Sequence, residues 1–166
     1  MAKKKRAMLI GSIGAGKSTL TNALLGRKVE AVKTQSLIYY DWIVDTPGEY
    51  IENPLFYKNI MATSLEVTHV LYLQDATRQK AIFPPGFSSG INKLPIGVVT
   101  KCDAEDADID SAIQHLKRVI TRGPIVVSSS MTGKGLQEIK DLVNCGSMEE
   151  MKGYAKSTET GAVIFI

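Results

Sequence analysis

Short apolar runs alternate along the chain with segments whose apolar residues have helical spacing. Four runs predict buried strands, at residues 7–10, 67–73, 95–99 and 124–127. Two more, at 35–40 and 42–44, are separated by little more than Asp41 and predict a hairpin. Helices are predicted at 19–25, 55–65, 109–120 and 135–143. This alternation predicts an α/β domain over residues 1–143, with a mostly parallel six-stranded sheet, one antiparallel edge strand, and helices on both faces.

Two segments depart from this alternation. Between Asp75 and Pro95 we predict no long helix, because the stretch Phe83-Pro84-Pro85-Gly86-Phe87 forbids one locally. So long a loop is uncommon without a use, and both a partner or substrate surface and a rigid cover over the sheet are compatible with it. Residues 144–166 form a polar tail of unknown order that ends in the apolar run 162–166. This run could add a strand at a sheet edge, bind a partner or be disordered.

Composition places the chain among ordinary globular proteins, with 44% hydrophobic and 22% charged residues out of 166. A net charge of +3 gives no strong indication of nucleic-acid binding. The basic run 3–6 leads directly into the first strand, so we interpret it as a solvent-exposed segment in preference to a membrane-binding or nucleic-acid-binding patch. With no apolar stretch of membrane-spanning length and no signal peptide, we expect a cytoplasmic protein with reduced Cys102 and Cys145. The isolated His69 and His115 are predicted to be structural.

Residues 11–18 read G-x-x-x-x-G-K-S between a predicted strand and a predicted helix. In that context the motif predicts a phosphate-binding loop, because its glycines let successive backbone N–H groups face phosphate oxygens. The helix presents its positive end to the same anion. Lys17 is expected to reach the β- and γ-phosphates as a catalytic residue, and the Ser18 hydroxyl to bind Mg²⁺. The residues expected to contact the nucleotide here are Ser12, Ile13, Gly14, Ala15, Gly16, Lys17, Ser18 and Thr19.

A D-x-x-G sequence, Asp45-Thr46-Pro47-Gly48, follows the second strand of the predicted hairpin. Its carboxylate is expected to hold the Mg²⁺ shell through water. The Gly48 N–H could bond the γ-phosphate, because no side chain blocks its approach. D-x-x-G alone usually marks a turn, but its place after a phosphate loop favours a role in the same site.

The segment Thr100-Lys101-Cys102-Asp103 matches the pattern [NT]-K-x-D, which reads guanine. A carboxylate at Asp103 can accept hydrogen bonds from the guanine N1–H and N2–H₂, whereas adenine offers no donor at either place. The stem of Lys101 can lie along the base. Thr100 replaces the usual asparagine, and we expect its shorter side chain to make weaker contacts with the phosphate loop and looser base selectivity. In a degenerate S-A-K-like segment, a backbone N–H at Ser130 or Met131 is expected to meet the guanine O6.

The order of these four elements resembles that of Ras-like GTPases, and the resemblance implies the three-layer P-loop NTPase fold. It also implies that Thr34 ligates Mg²⁺ and senses the γ-phosphate; a threonine that merely starts a strand is the alternative.

Many signalling GTPases carry a glutamine after D-x-x-G to orient the attacking water. Here the residue is Glu49, a catalytic candidate that could act as a base or face outward, and we expect slow intrinsic turnover. No dedicated arginine finger is visible in the sequence, and Arg78, after the strand at 67–73, is the nearest candidate.

Further blocks resemble the EutP/PduV family, which is encoded with ethanolamine- or propanediol-utilisation enzymes. They are Lys33-Thr34-Gln35, residues 45–53, Pro85-Gly86-Phe87 and the phosphate loop. The resemblance covers residues 8–143 and implies a cytosolic bacterial protein tied to a metabolic microcompartment, with shell proteins or pathway enzymes as partners. It leaves the nucleotide open, because the family is variously treated as GTPase-like or ATP-binding, with an acetate kinase role also proposed.

Three functions therefore compete. The first is a Mg²⁺-dependent GTPase that binds GTP and GDP and acts as a switch. The second is an ATP-linked acetate or other acyl kinase, with the loop at 83–87 covering the acceptor site. The third is a nucleotide-bound adaptor without catalytic turnover. We rank them in this order, and expect neither nucleic acid nor a membrane as a partner.

Overall fold

The computed structural model describes residues 4–31 and 36–166, so the predicted Mg²⁺ ligand Thr34 lies outside the described residues. The strands are β1 (Ala7–Ile10), β2 (Ile38–Tyr39), β3 (Ile43–Asp45), β4 (His69–Asp75), β5 (Leu94–Thr100), β6 (Pro124–Val127) and β7 (Val163–Phe165). The helices are α1 (Lys17–Leu25), α2 (Glu49–Glu52), α3 (Tyr57–Ser64), α4 (Ile109–Val119), α5 (Leu136–Asn144) and α6 (Met148–Ser157). Short 3₁₀ turns lie at Pro54–Phe56 and Phe87–Gly90.

The strands form one sheet in the order β2-β3-β1-β4-β5-β6-β7. Pairing is parallel from β3 through β6 and antiparallel at both edges. The predicted three-layer α/β fold is confirmed, but the sheet has seven strands instead of six and a second antiparallel edge strand. The extra strand is β7, in which Phe165, Ile164 and Val163 pair with β6.

Helices cover the two faces of the sheet, and each face has its own apolar core. One core brings residues of α2, α3 and α4, such as Ile51, Ile60 and Leu116, onto the sheet. The other contains Leu20 of α1, Leu142 of α5 and Met151 of α6. Because the central strands are buried on both faces, they read in sequence as continuous apolar runs instead of alternating ones.

The loop between β4 and β5 contains only the 3₁₀ turn at Phe87–Gly90, in agreement with the prediction of no long helix. Phe83 is buried, and its ring meets that of Tyr72 edge-on at 5.6 Å between centroids. The Gly86 N–H donates to the Arg118 carbonyl oxygen at 2.7 Å. These contacts favour the rigid-cover interpretation of the segment, because its aromatic side chains fill the core beneath it.

The tail contributes α6 and β7 to the same sheet and core. Ser147 caps α6 by accepting a hydrogen bond from the Glu150 N–H at 3.1 Å. Just before this helix, the buried ring of His69 bonds the Cys145 carbonyl oxygen through Nε2 at 2.9 Å. His69 is therefore a structural side chain, as predicted, and it joins the end of α5 to the start of β4.

Candidate functional site

The predicted functional segments meet at the carboxyl edge of the parallel strands. The first of them is the loop between β1 and α1, called here the phosphate loop (residues 11–18). Gly14 and Gly16 adopt left-handed conformations, with φ of 82° and 96°, which side chains other than glycine rarely adopt. The Leu20 N–H donates to the Gly16 carbonyl oxygen at 2.8 Å, so α1 starts directly from the loop. The loop therefore stands at a helix N-terminus, where an anion is stabilised.

The Lys17 ammonium lies inside the phosphate loop. Nζ donates to the carbonyl oxygens of Gly11 and Ser12 at 2.8 and 2.9 Å, and the residue is only 6% exposed. Burial lowers the pKa of Lys17 to about 8, although the nearby carboxylates of Asp45 and Glu52 partly offset this effect. A buried cation whose charge burial disfavours gains much from an anionic ligand.

Ser18 and Asp45 bring two oxygen donors together beside the loop. The Ser18 hydroxyl donates to Asp45 Oδ2 at 2.8 Å, and Asp45 is buried at the end of β3. The next residue, Thr46, fixes this strand end because its hydroxyl donates to the Leu9 carbonyl oxygen at 2.7 Å. A hydroxyl and a carboxylate are hard oxygen ligands, and Mg²⁺ is bound by one or two such groups together with phosphates and waters. Within residues 4–31 and 36–166, no cluster of three or more His, Cys, Asp or Glu side chains is arranged to hold a metal.

The chain after β3 packs directly on the phosphate loop. A Cβ at Gly48 would lie 2.6 Å from the backbone nitrogen of Ile13, so only glycine fits there. In α2, which follows, Glu49 and Glu52 are both exposed, and Glu52 accepts a hydrogen bond from the Ile13 N–H at 3.1 Å. The carboxylate that contacts the phosphate loop is thus one helical turn beyond the residue singled out from the sequence. Glu52 was missed because a helix of four residues leaves no apolar periodicity to find.

The segment after β5 is bonded to the phosphate loop by two side chains. The Thr100 hydroxyl donates to the Ala15 carbonyl oxygen at 2.7 Å, so its shorter side chain does make this contact. Lys101 has a left-handed backbone, with φ of 61°, and its Nζ donates to the Gly14 carbonyl oxygen at 2.8 Å. The same Nζ contacts Asp75 Oδ2 at 2.7 Å. Two side-chain hydrogen bonds therefore join the predicted base-reading segment to the predicted phosphate loop.

Asp103 stands at the outer end of this segment, opposite the loop after β6. Its Oδ1 accepts a hydrogen bond from the buried Ser129 hydroxyl at 2.7 Å. Ser130 follows, and Met131 is 83% exposed beside it. The hydrogen bond between Ser129 and Asp103 thus joins the segment after β5 to the loop after β6.

A second group of polar residues lies at the end of β4. The sequence did not predict that these residues contact one another. Asp75 is buried, and its Oδ1 accepts hydrogen bonds from the Thr77 N–H at 2.8 Å and the Thr77 hydroxyl at 2.6 Å. Burial raises the pKa of Asp75, but the hydrogen bonds from Lys101 and Thr77 outweigh it and hold that pKa below its usual value. The side chain of Arg78 extends to the phosphate loop, where Nη1 donates to the Ser12 hydroxyl at 3.3 Å. The sequence did offer one signal for this group, an acidic residue at the carboxyl end of a buried parallel strand.

A family model described as ethanolamine utilisation–propanediol utilisation, PduV-EutP, matches residues 4–145. The chain belongs to this family. The match contains every site residue described above and confirms the resemblance given by the sequence blocks. Within the part of the chain that the structure describes, no helix is both long enough and apolar enough to cross a membrane.

Curated relatives in the PduV-EutP family cover most of the chain. A protein named "Probable acetate kinase EutP" from Escherichia coli strain K12 is 32% identical over 151 residues, which are 90% of this chain and 95% of that protein. One of the same name from Salmonella typhimurium strain LT2 is 35% identical, over 84% of this chain and 87% of the relative. "Propanediol utilization protein PduV" from Citrobacter freundii is 30% identical, over 84% and 93%. The family is therefore linked to the use of ethanolamine and propanediol.

Proposed function

We propose that this chain is a Mg²⁺-dependent GTP-binding protein that hydrolyses GTP slowly and acts as a switch in ethanolamine or propanediol utilisation. The observation that carries the proposal is the joining of the two halves of the site. Thr100 and Lys101 donate to the carbonyl oxygens of Ala15 and Gly14, at 2.7 and 2.8 Å. A fixed relation between phosphate loop and base-reading segment is what a nucleotide needs, because the same molecule contacts both.

Guanine is the base that the outer part of the site favours. Ser129 donates to one oxygen of Asp103 and so fixes the carboxylate. Guanine N1–H and N2–H₂ can pair with a carboxylate held in this way, whereas adenine would leave it unpaired. A backbone N–H at Ser130 or Met131 would donate to O6, and the exposed Met131 could cover the base.

Phosphate binding would use the groups of the loop and its neighbours. The amides of residues 12–19 and the Lys17 ammonium would hold the β- and γ-phosphates. Ser18 and Asp45 would hold Mg²⁺, with Thr34 as a further expected ligand, and the ion would neutralise phosphate charge. Signalling GTPases orient the attacking water with a glutamine, and this chain has glutamates, Glu49 and Glu52, in the corresponding segment. Slow turnover is the expected result.

The biological setting follows from the family. Its link to ethanolamine and propanediol utilisation supports a role for this chain at a bacterial microcompartment, with shell proteins or pathway enzymes as partners. The switch would consist of α2 and the segment around Thr34, which γ-phosphate contacts would hold and hydrolysis would release.

Calorimetric titration with GTP, GDP and ATP in the presence of Mg²⁺ tests the proposal. GTP and GDP should bind more tightly than ATP, and Lys17→Ala should weaken GTP binding by about 100-fold or more, since a buried charge-assisted contact is lost. Lys117→Ala, on the exposed face of α4, is the matched control and should bind as the wild type does. Equal affinity for ATP would overturn the guanine assignment, absence of any nucleotide binding would overturn the whole proposal, and tight binding without turnover would favour the adaptor.

An acetate kinase is the second candidate, supported by the names of the Escherichia coli and Salmonella relatives and by one contact in this chain. The Ile13 N–H of the phosphate loop already donates a hydrogen bond to a carboxylate oxygen, that of Glu52. In the kinase reaction an acetate oxygen would attack the γ-phosphorus of ATP, and ADP would leave. Trapping of acetyl phosphate as the hydroxamate tests this candidate. Product that requires ATP and disappears in Lys17→Ala would favour it over hydrolysis, and none above a protein-free control would remove it.

A further inference from the structure

The guanidinium of Arg78 lies against the phosphate loop. Its Nη1 donates to the Ser12 hydroxyl at 3.3 Å, and its Nη2 is 3.0 Å from the point that a Cβ on Gly14 would occupy. The absence of a side chain at Gly14 is therefore what allows the guanidinium to approach the loop so closely. Arg78 thus adds a cation to the place where Lys17 and Lys101 also converge.

The backbone that carries Arg78 is held in a tight turn. Its N–H donates to the Asp75 carbonyl oxygen at 3.1 Å, and Thr77 is bonded to the Asp75 carboxylate. On the far side, the Asp108 N–H donates to the Ala76 carbonyl oxygen at 2.7 Å. The arginine therefore leaves a rigid base, and its position does not depend on a flexible loop.

Within the described part of the chain, the side chain of Arg78 is not held by a short ion pair. It is 43% exposed, and its Nε is 3.9 Å from Asp75 Oδ2, a distance at which the carboxylate attracts the guanidinium without forming a bidentate pair. The short pairing of Asp75 is with Lys101, at 2.7 Å. The donor groups of Arg78 can therefore turn from Ser12 toward a phosphate group bound at the loop.

We propose that Arg78 is a catalytic arginine supplied in cis, which contacts the transferring γ-phosphoryl group and the bridging oxygen in the transition state. The inference rests on the proposed GTPase function. In hydrolysis, a water oxygen bonds to the γ-phosphorus, the bond from γ-phosphorus to the bridging oxygen breaks, and its electron pair stays on the β-phosphate. The proton of the water passes to the released phosphate or to solvent. Charge grows on the oxygens around the guanidinium, and an arginine there accelerates the step because it is already in place.

A purely structural role for Arg78 predicts a different set of effects. In that case the arginine only stabilises the conformation of Ser12 and the turn at Asp75, and its removal weakens the binding of GDP and GTP alike. A catalytic arginine instead affects the transition state more than either bound nucleotide. Comparison of nucleotide affinity with single-turnover rate separates the two roles.

The experiment compares wild type, Arg78→Ala, Arg78→Lys and the control Arg118→Ala, which removes an exposed arginine of α4. Each is assayed for GDP and GTP affinity, for single-turnover hydrolysis with saturating Mg²⁺-GTP, and for binding of GDP with aluminium fluoride, which imitates the transferring phosphoryl group. We expect Arg78→Ala to keep GDP affinity within about threefold and to lose about 100-fold in rate. It should also fail to bind aluminium fluoride, and added guanidinium ion should restore part of its rate. Arg118→Ala should match the wild type.

An unchanged rate in Arg78→Ala, or a rate that falls only as far as GDP affinity falls, would overturn the catalytic arginine and leave the GTPase proposal intact. A wild type that binds GTP but neither hydrolyses it nor traps aluminium fluoride would overturn the arginine without affecting nucleotide binding. A wild type that binds no guanine nucleotide would instead overturn the proposed function. Arg78→Lys keeps the charge and provides a second test, since loss of rate in this variant shows that the planar guanidinium is required.

Discussion

The Glu52 carboxylate accepts a hydrogen bond from the Ile13 backbone N–H at 3.1 Å. Ile13 belongs to the phosphate loop, and its amide is among those expected to face a phosphate oxygen. The carboxylate also lies near enough to Lys17 to favour its charged form. Glu52 thus hydrogen-bonds one group that a triphosphate would use and attracts another, so an incoming γ-phosphate meets both a competitor and a like charge.

Glu52→Gln should therefore bind triphosphate more tightly. Glu52 is exposed, and removing its negative charge contributes on the order of 1 kcal/mol, which corresponds to about fivefold in GTP affinity. GDP should gain much less, because it lacks the γ-phosphate. Calorimetry with GTP and GDP measures both values, and Glu105→Gln, on an exposed loop, is the control. A GTP affinity unchanged or lowered in Glu52→Gln would contradict the competition.

Asp103→Asn should remove the preference for guanine. An amide side chain offers a donor where the guanine N1–H and N2–H₂ require acceptors, so one pairing becomes repulsive. We expect GTP affinity to fall by about 100-fold, while xanthosine triphosphate, which has an acceptor at the 2-position, gains. Competition between the two nucleotides for a fluorescent analogue checks this outcome. Asp106→Asn, in the same exposed loop, should leave the order of affinities unchanged.

Gly48→Ala should weaken GTP binding more than GDP binding. An added Cβ would lie 2.6 Å from both the backbone nitrogen and Cγ1 of Ile13, and must push the start of α2 away from the phosphate loop. Contacts of the Gly48 amide with the γ-phosphate would be lost, and we expect about a tenfold decrease in GTP affinity. Gly153→Ala on α6, where a Cβ meets nothing within 4 Å, is the matched control. Equal loss for the two nucleotides would argue against a γ-phosphate contact.

The free energy of unfolding should decrease as the pH falls, because the buried His69 resists protonation in the folded chain. Burial lowers the pKa of His69 from 6.5 to about 4, so its stabilising neutral form is complete above pH 6.5. Stability is lost as the pH falls from there toward 4, because His69 binds a proton in the unfolded chain but stays neutral in the folded chain. Between pH 7 and pH 5 the loss amounts to about 2 kcal/mol.

Urea unfolding at the two pH values measures this loss. His69→Gln keeps a donor for the Cys145 carbonyl oxygen but does not titrate, so its stability should change by about 2 kcal/mol less than that of the wild type over the same range. His115→Gln serves as the control and should retain the acid sensitivity. An identical pH dependence in His69→Gln and wild type would remove the assignment to His69.

Much of the fold could be predicted because its signals are local. The strand at Pro124–Val127 has the predicted bounds, since its apolar run is bracketed by glycine and serine. The first helix ends at Gly26, whose left-handed backbone accounts for the predicted stop. The phosphate loop and the segment after β5 are contiguous motifs, so their residues were available from sequence alone, although their roles remain predictions.

The contacts between these segments could not be predicted, because they depend on tertiary placement. Asp75 and Lys101 are 26 residues apart and meet only because β4 and β5 are parallel neighbours that end at the same edge. Arg78 reaches Ser12 across 66 residues by way of a turn with no sequence periodicity. Glu52 instead of Glu49 contacts the loop for a similar reason, since the chain at Gly48 packs directly on Ile13, 35 residues earlier in the sequence.

The strand β7 also covers the edge of the sheet that β6 would otherwise expose. The ladder of Val163–Phe165 occupies the backbone donors and acceptors of β6, and the Val127 N–H donates to the Ala162 carbonyl oxygen at 2.8 Å. Shortening the chain at residue 145, where the family match stops, would expose those groups as a template for intermolecular pairing. Truncated versions should therefore aggregate, and affinity tags placed after residue 166 need a spacer that leaves this ladder intact.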